Sequence, residues 1–289
     1  MLKNSSLKKT LKNFLEGFLV HTLYFFLKFL NINTSASFCK RLLLFFSSLL
    51  KSNDIAVNNV DLCFPTLTNI KRKQIINQSW EHFGAIIGEM PHWHEMSHKE
   101  FDERVIILGV KNILLSRSIF FSAHIGNWEL FAKIAQKYRF KMHLLYRPMN
   151  NPYTDRIINK LRVNRYVELI TKGRGGVRKI INALNSNEVT GMLVDQKLSE
   201  GTPVPFFRKM AMTTTLPAKL ALKYGVKLVP AYVIRTSAAR YTVRFFTPIK
   251  VSKEDSVYQI TKKINSILEK WITSHPEQWL WSHNRWGNK

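Results

Sequence analysis

SIFFSAHIGNWELFAKIAQKY, residues 118–138, changes character part-way along. Its first third, SIFFSAH (118–124), is a short apolar run of the kind that forms a buried strand. From residue 127 to 138 it reads as a helix. Gly126 supplies flexibility at the junction, and Asn127 is a good N-cap candidate. Strand, loop and helix together form one α/β unit.

The same texture continues on both sides. VIILGV (105–110), MHLLYRP (142–148), VTGMLVD (189–195), KLVPAYVI (227–234) and YTVRFF (241–246) read as further strands. Helical segments at 152–164, 175–186, 213–224 and 256–273 separate several of them. Strands that alternate with helices predict an α/β fold with a mostly parallel central sheet flanked by helices. Chemistry in such sheets sits beyond the carboxyl ends of the strands. His124, Arg147 and Asp195 each follow a different strand end, so one edge of the sheet is expected to gather them.

Upstream of residue 104 the chain reads as helical. Ile75, Ile76, Trp80, Phe83, Ile86, Ile87 and Met90 recur at helical spacing over 71–90, and Glu89 on that helix is expected to pair with a basic residue. Residues 1–50 form a separate N-terminal segment, with 51–289 as the catalytic domain. Lys3, Lys8, Lys9 and Lys12 precede the apolar stretch GFLVHTLYFFLKFL (17–30), and RLLLFFSSLL (41–50) follows. The first stretch is shorter than the roughly 20 residues of a straight span. A membrane anchor is expected, as one tilted span or as two interfacial helices; a pair of buried core helices is the alternative. The basic flank favours the cytoplasmic side and anionic lipid.

The chain carries 44 Lys and Arg against 19 Asp and Glu, a net charge of +25. That excess implies a polyanionic partner: anionic lipid, a phosphorylated substrate or nucleic acid. Cys39 and Cys63 have no CxxC spacing, so neither a disulfide framework nor a cysteine metal site is expected. HEMSH (94–98) is not HExxH, and His92, His94 and His98 read as a surface or helix-end cluster. No metal and no cofactor are expected.

His124 and Glu129 are the candidate catalytic pair. Five residues on a continuous helix would set them roughly 140° apart. The spacing works if His124 lies in the loop and Glu129 in the first turns of the helix, reaching back to the imidazole. A carboxylate on one ring nitrogen fixes the tautomer and stabilises the imidazolium, leaving a base that activates an alcohol. No nucleophile-elbow pattern such as GxSxG marks a serine, so the substrate's own hydroxyl is expected to attack directly. On spacing alone, a core histidine beside a surface glutamate fits as well.

Companion motifs add to the pair. SAHIGNWE (122–129), YRPMNNP (146–152), GMLVDQ (191–196), GTPVPFF (201–207), TTTLPAKLA (213–221), KLVPAYVIR (227–235) and HPEQWLWSHNRW (275–286) occur in that order. In their joint order and spacing they resemble the lipid A biosynthesis late acyltransferases, lauroyl and myristoyl transferases within the lysophospholipid acyltransferase superfamily. The resemblance runs from about Asn59 to Trp286. It implies an α/β fold on an N-terminal membrane helix at the cytoplasmic face of a bacterial inner membrane. It also implies transfer of a fatty acyl group from acyl carrier protein to a hydroxyl of a Kdo-bearing lipid A precursor. The family's H-x4-E pair falls on His124 and Glu129. One departure is Arg208, where many relatives have a glycine after FF; it leaves the chemistry intact and puts loop shape and acyl-chain specificity in question.

The remaining candidates are substrate-binding. Arg147 suits a phosphate, a Kdo carboxylate or an oxyanion; an ordinary ion pair suits it too. Arg162 is a second candidate, set against a solvated basic face. Lys172 and Arg174 in TKGRGG suit a phosphate clamp or a plain turn. Asp195 and Gln196 end a strand, where Asp195 orients a neighbour or caps the next turn. Trp279, Trp281 and Trp286 fit a membrane interface or the core. Another glycolipid or a lysophospholipid is the alternative acceptor. A basic nucleic-acid-binding protein is the alternative from a different class, disfavoured by the apolar N-terminus and the absence of a nucleic-acid motif.

Overall fold

The structure is a computed structural model that describes residues 2–114 and 117–287, with the side chains of residues 2–7, Lys3 among them, outside the description. Five helices lead the chain: α1 (Leu2–Phe29), α2 (Ile32–Ser47), α3 (Lys51–Cys63), α4 (Asn69–Glu95) and α5 (His98–Arg104). The α/β part then runs β1 (Val105–Leu108), β2 (Ser118–Ser122), α6 (Leu130–Tyr138), β3 (Met142–Tyr146), α7 (Pro152–Arg162), β4 (Val167–Thr171), α8 (Arg174–Asn185) and β5 (Val189–Leu193). It ends with β6 (Thr202–Phe206), β7 (Lys209–Thr213), α9 (Leu216–Tyr224), β8 (Lys227–Ser237), β9 (Arg240–Phe245) and α10 (Val257–Ser274).

Seven strands form one sheet in the order β1-β9-β8-β2-β5-β3-β4, and β6 pairs with β7 in a separate hairpin. β8, β2, β5, β3 and β4 are parallel; β9 turns back antiparallel on β8, and β1 pairs parallel with β9. The mostly parallel α/β fold is therefore as expected. β2 is buried along its whole length, as a central parallel strand must be. Its two faces feed two cores. Ile119 and Phe121 join α3, α8, α9 and α10 on one side. Phe120 joins Phe131, Ile134 and other residues of α6 on the other.

Two elements escaped the sequence reading. β4 is an edge strand whose Glu168 and Thr171 are exposed, so its apolar signal is diluted. The β6–β7 hairpin carries Pro203 and Pro205, which argue against a strand except at an edge, and a two-stranded ribbon is all edge. The helix expected over 213–224 starts at Leu216, because Thr213 still belongs to β7.

α2 lies tightly on α4. A Cβ on Gly84 would fall 2.5 Å from the Cys39 carbonyl oxygen, and one on Gly88 would fall 2.4 Å from that of Ser35. The two glycines, a helical turn apart, let the backbones touch, and the Ser35 hydroxyl donates to the Gly88 carbonyl at 2.5 Å. Cys39 and Cys63 are buried and unbridged. Among the described residues no helix is long and apolar enough to cross a membrane. Even so, large apolar side chains stand exposed on α1 (Leu11, Phe14, Leu15, Phe18, Leu19, Phe25, Phe26, Phe29) and on α2 (Phe38, Leu42, Phe45, Phe46). Contact of the Phe26 and Phe38 rings, 5.5 Å between centroids, joins the two stripes into one surface.

Candidate active site

β2 ends at Ser122, and the chain turns over the carboxyl edge of the sheet through Ala123–Glu129 before α6 begins. Gly126 makes the turn possible: its φ is +59°, and a Cβ there would lie 1.5 Å from the Val233 carbonyl oxygen, so no other residue fits. The C-terminal segment pins the loop from the far side. The Gly126 amide donates to the Gln278 carbonyl and the Leu280 amide to the His124 carbonyl, both at 3.0 Å. Asn127 does not cap the helix as expected. Its side chain is buried and points to Glu89 and the Tyr241 hydroxyl at 3.4 and 3.5 Å, and residue 129 occupies the N-cap position. Glu89 has the basic partner expected of it: it is fully buried on Arg235 and also accepts from Tyr241. This network ties α4 to β8, β9 and the loop.

His124 lies in the loop, as the spacing requires, but its carboxylate partner is not Glu129. Asp195, one residue beyond the β5 extension through Val194, places Oδ1 2.8 Å from His124 Nδ1. Its Oδ2 accepts the His124 backbone amide and the Trp279 indole N–H, each at 2.8 Å. Burial alone would raise the carboxyl pKa of Asp195; the His124 imidazole and these donors outweigh it and bring it to about 2. An ionised acceptor on Nδ1 draws the ring proton there and leaves Nε2 as the basic nitrogen. Nε2 has the Gln196 amide nitrogen 3.4 Å away.

Glu129 faces the other way. Arg162 grips it with two donors, Nε to Oε2 at 2.7 Å and Nη2 to Oε1 at 2.5 Å, and the Trp128 indole donates to Oε1 at 3.0 Å. Burial would raise the carboxyl pKa of Glu129, and Arg162 more than reverses that, so it stays charged. The Trp128 ring in turn packs edge-on against the His124 ring, 5.0 Å between centroids. Glu129 and His124 thus share a site through Trp128, whereas Asp195 meets the imidazole directly. The motif spacing pointed to the nearer carboxylate in sequence; the closer one in space is delivered by β5, which is hydrogen-bonded beside β2.

Beneath His124 opens a cavity of about 470 Å³, a volume typical of small-ligand sites. Glu129, Arg147, Arg162 and Gln196 line it with His124, and Phe83, Phe120, Phe131, Leu144, Leu145 and Met192 make its walls apolar. No serine, threonine or cysteine is among its described lining residues. Arg147 and Lys172 sit side by side at its mouth, just past the paired residues Tyr146 and Thr171. Burial and then the Arg147 charge lower the Lys172 pKa. Arg174 is exposed at the first position of α8 and is not part of the lining. His283 also lines the cavity and accepts the Lys197 amide at 3.0 Å; sequence reasoning had placed no role on it. Trp279 and Trp281 belong to the core, and the Trp286 ring stacks on Phe206.

Two histidines here are held neutral. Burial and the Arg235 charge take His82 down to about 3, and burial takes His283 down to about 4. Unfolding returns both to about 6.5. Below that pH the unfolded chain binds more protons than the folded one, so stability falls with pH until the folded values are reached. Thermal melts should therefore lose midpoint steadily between about pH 6.5 and pH 4, and His82→Gln should flatten the fall. An unchanged slope in that variant would remove His82 as a cause.

The site thus sets a histidine, bonded to a buried carboxylate, over a largely apolar cavity at the carboxyl edge of a parallel sheet, with no Ser, Thr or Cys among the described lining residues. The family model described as bacterial lipid A biosynthesis acyltransferase matches residues 2–288, and the chain belongs to that family. It is 25% identical over 247 residues to the lipid A biosynthesis palmitoleoyltransferase of Escherichia coli K12, covering 81% of this chain and 78% of that one. The lauroyltransferase of the same organism is 25% identical over 246 residues, covering 80% and 78%. Among solved structures, the 1-acyl-sn-glycerophosphate (LPA) acyltransferase of Thermotoga maritima overlays with a TM-score of 0.40 at 14% identity, covering 93% of this chain and 99% of that one. The protein is an acyltransferase of lipid A biosynthesis.

Proposed function

We propose that the enzyme moves a fatty acyl chain from acyl carrier protein to a hydroxyl of a Kdo-bearing lipid A precursor, with His124 as general base. The observation that carries this is the Asp195–His124 pair, which leaves Nε2 basic and turned to the apolar cavity. The acceptor hydroxyl gives its proton to Nε2 as its oxygen attacks the thioester carbonyl. Gln196, Arg147 and Arg162, which line the cavity, are the donors available to steady the oxyanion. The tetrahedral centre collapses, the C–S bond breaks, and the imidazolium returns the proton to the departing thiolate. A lining without Ser, Thr or Cys supports direct transfer over an acyl-enzyme. Glu129 acts by holding Arg162 and wedging Trp128 against the imidazole.

Arg147 and Lys172 fit an anionic substrate. Neither forms an ion pair with a carboxylate among the described residues, and two adjacent cations, whose mutual repulsion helps to lower the Lys172 pKa, attract a phosphate strongly. Residues 1–50 serve as a membrane-docking segment at the cytoplasmic face of the inner membrane, lying in the interface. The joined apolar stripes of α1 and α2 form a patch far larger than single scattered residues. Lys8, Lys9, Lys12 and Arg41 are exposed on the same two helices, where they meet anionic head groups. A variant with Phe14, Phe18, Phe25 and Phe45 changed to Ser should lose sedimentation with anionic vesicles while the folded domain melts normally. Equal sedimentation would rule out this face.

Mass spectrometry of lipid A from cells lacking the protein tests the whole assignment. Loss of one acyl chain, restored by the wild-type gene and not by His124→Ala, supports it; an unchanged lipid A with altered phospholipids instead supports a lysophospholipid acceptor.

A further inference from the structure

Four strands contribute one residue each to a single row across the sheet. Phe120 of β2 is in register with Gly191 of β5, Gly191 with Leu144 of β3, and Leu144 with Leu169 of β4. All four line the cavity that opens at His124. They point to the α6 side of the sheet, where Phe120 and Phe131 pack in one core with Leu144 and Leu169 against them. The row lies two residues before the end of β2 and four before His124, a depth of at most about 13 Å at the ~3.3 Å rise of an extended chain, room for an extended alkyl chain of up to roughly ten carbons.

The inner end of this slot is closed by a ring held across a glycine. A Cβ on Gly191 would lie 2.2 Å from Phe120 Cζ and 2.7 Å from Leu144 Cδ2, so the Phe120 ring occupies the space a side chain at 191 would need. Phe131 packs on that ring at 4.6 Å between centroids and Phe245 edge-on at 5.9 Å. Phe120 is 1% exposed and cannot swing aside without disturbing both neighbours. A chain too long for the slot must force this packing or leave methylenes in water, and either is unfavourable.

We propose that this row, with the Phe120 ring as its stop, sets the length of the acyl chain the enzyme transfers. The proposal rests on the reading that the cavity takes the donor's chain with its carbonyl at His124. Selection then depends on the floor of the slot: a larger residue in the row favours shorter chains, and a smaller residue in place of Phe120 favours longer ones.

The test uses two substitutions of opposite sign in the full-length enzyme. Phe120→Leu removes the ring without adding a polar atom, and Leu144→Phe raises the floor from the neighbouring strand. Each is supplied with acyl carrier protein loaded with saturated chains from decanoyl to palmitoyl, and kcat/KM is measured for every length. In Phe120→Leu the ratio for chains two carbons longer over the chain the wild type prefers should rise about tenfold. Leu144→Phe should move the preference to shorter chains by a comparable ratio. If Leu144→Phe fails to melt cooperatively, Leu169→Phe, on the edge strand of the same row, replaces it; if Phe120→Leu fails, Phe120→Met replaces it. Active variants that keep the wild-type length profile overturn the proposal and leave acyl transfer at His124 standing. A wild type that transfers no chain from the carrier overturns the reading beneath it.

Discussion

Asp195→Asn should lower kcat by about three to four orders of magnitude, the scale seen when the carboxylate behind a catalytic histidine becomes an amide. Asp195 Oδ1 accepts from His124 Nδ1, and its charge stabilises the imidazolium that forms as the acceptor hydroxyl is deprotonated. An amide nitrogen in that place donates to Nδ1, moves the ring proton to Nε2 and leaves no base facing the cavity. The remaining amide oxygen still accepts from the His124 amide or Trp279, so the fold should survive. Asp195 does not line the cavity, and KM for either substrate should change little. With its pKa at about 2, the carboxylate stays charged at any pH where the enzyme is assayed, so no limb of the pH–rate profile belongs to it. Glu129→Gln is the informative companion, because it weakens the grip on Arg162 without touching the imidazole. Turnover within tenfold of wild type in Asp195→Asn, beside a collapse in Glu129→Gln, would mean that Glu129 orients His124 in the working enzyme.

His124→Ala should cost about two to four orders of magnitude in kcat, as expected when a positioned general base is removed. The group lost is the only imidazole in direct contact with the Asp195 carboxylate among the described residues. His283 lines the same cavity but is no substitute: its Nε2 already accepts the Lys197 amide, and burial holds it neutral with a pKa of about 4, too weak a base. The cavity and its cations remain, so binding of the acyl donor should persist in this variant. The two effects should not add. Asp195→Asn in the His124→Ala background should change kcat little further, since the carboxylate acts through the ring.

Much of this was legible in the sequence, for physical reasons. Buried parallel strands are short continuous apolar runs, and β2, β3, β5 and β8 have that texture, while β9 alternates buried Tyr241, Val243 and Phe245 with more exposed residues. Strand ends in a parallel sheet share an edge, which is why His124, Arg147 and Asp195 were expected together. Strands that depart from both textures were not legible. β4 is half-exposed, and the β6–β7 hairpin carries two prolines. Nor was the choice of carboxylate. Both Glu129 and Asp195 follow strands at the same edge, and only sheet order puts β5 directly beside β2 while α6 turns Glu129 towards Arg162 on α7. Trp279 was legible as part of a motif but not as a donor to Asp195, because nothing local brings the C-terminal segment under the His124 loop. The N-terminus was legible as apolar and basic. Its packing onto α4 through Gly84 and Gly88 emerges only when the two helices are seen together.

The central claim is that His124, held by Asp195, activates the acceptor hydroxyl for direct attack on the carrier's thioester. Its most direct test is labelled acyl transfer from acyl carrier protein to purified Kdo-bearing lipid A precursor, by wild type and His124→Ala side by side. The account predicts labelled lipid with wild type, at least about a hundredfold less with His124→Ala, and no label retained on the protein when the acceptor is omitted. Full transfer by His124→Ala, or stoichiometric labelling of the enzyme, would contradict it.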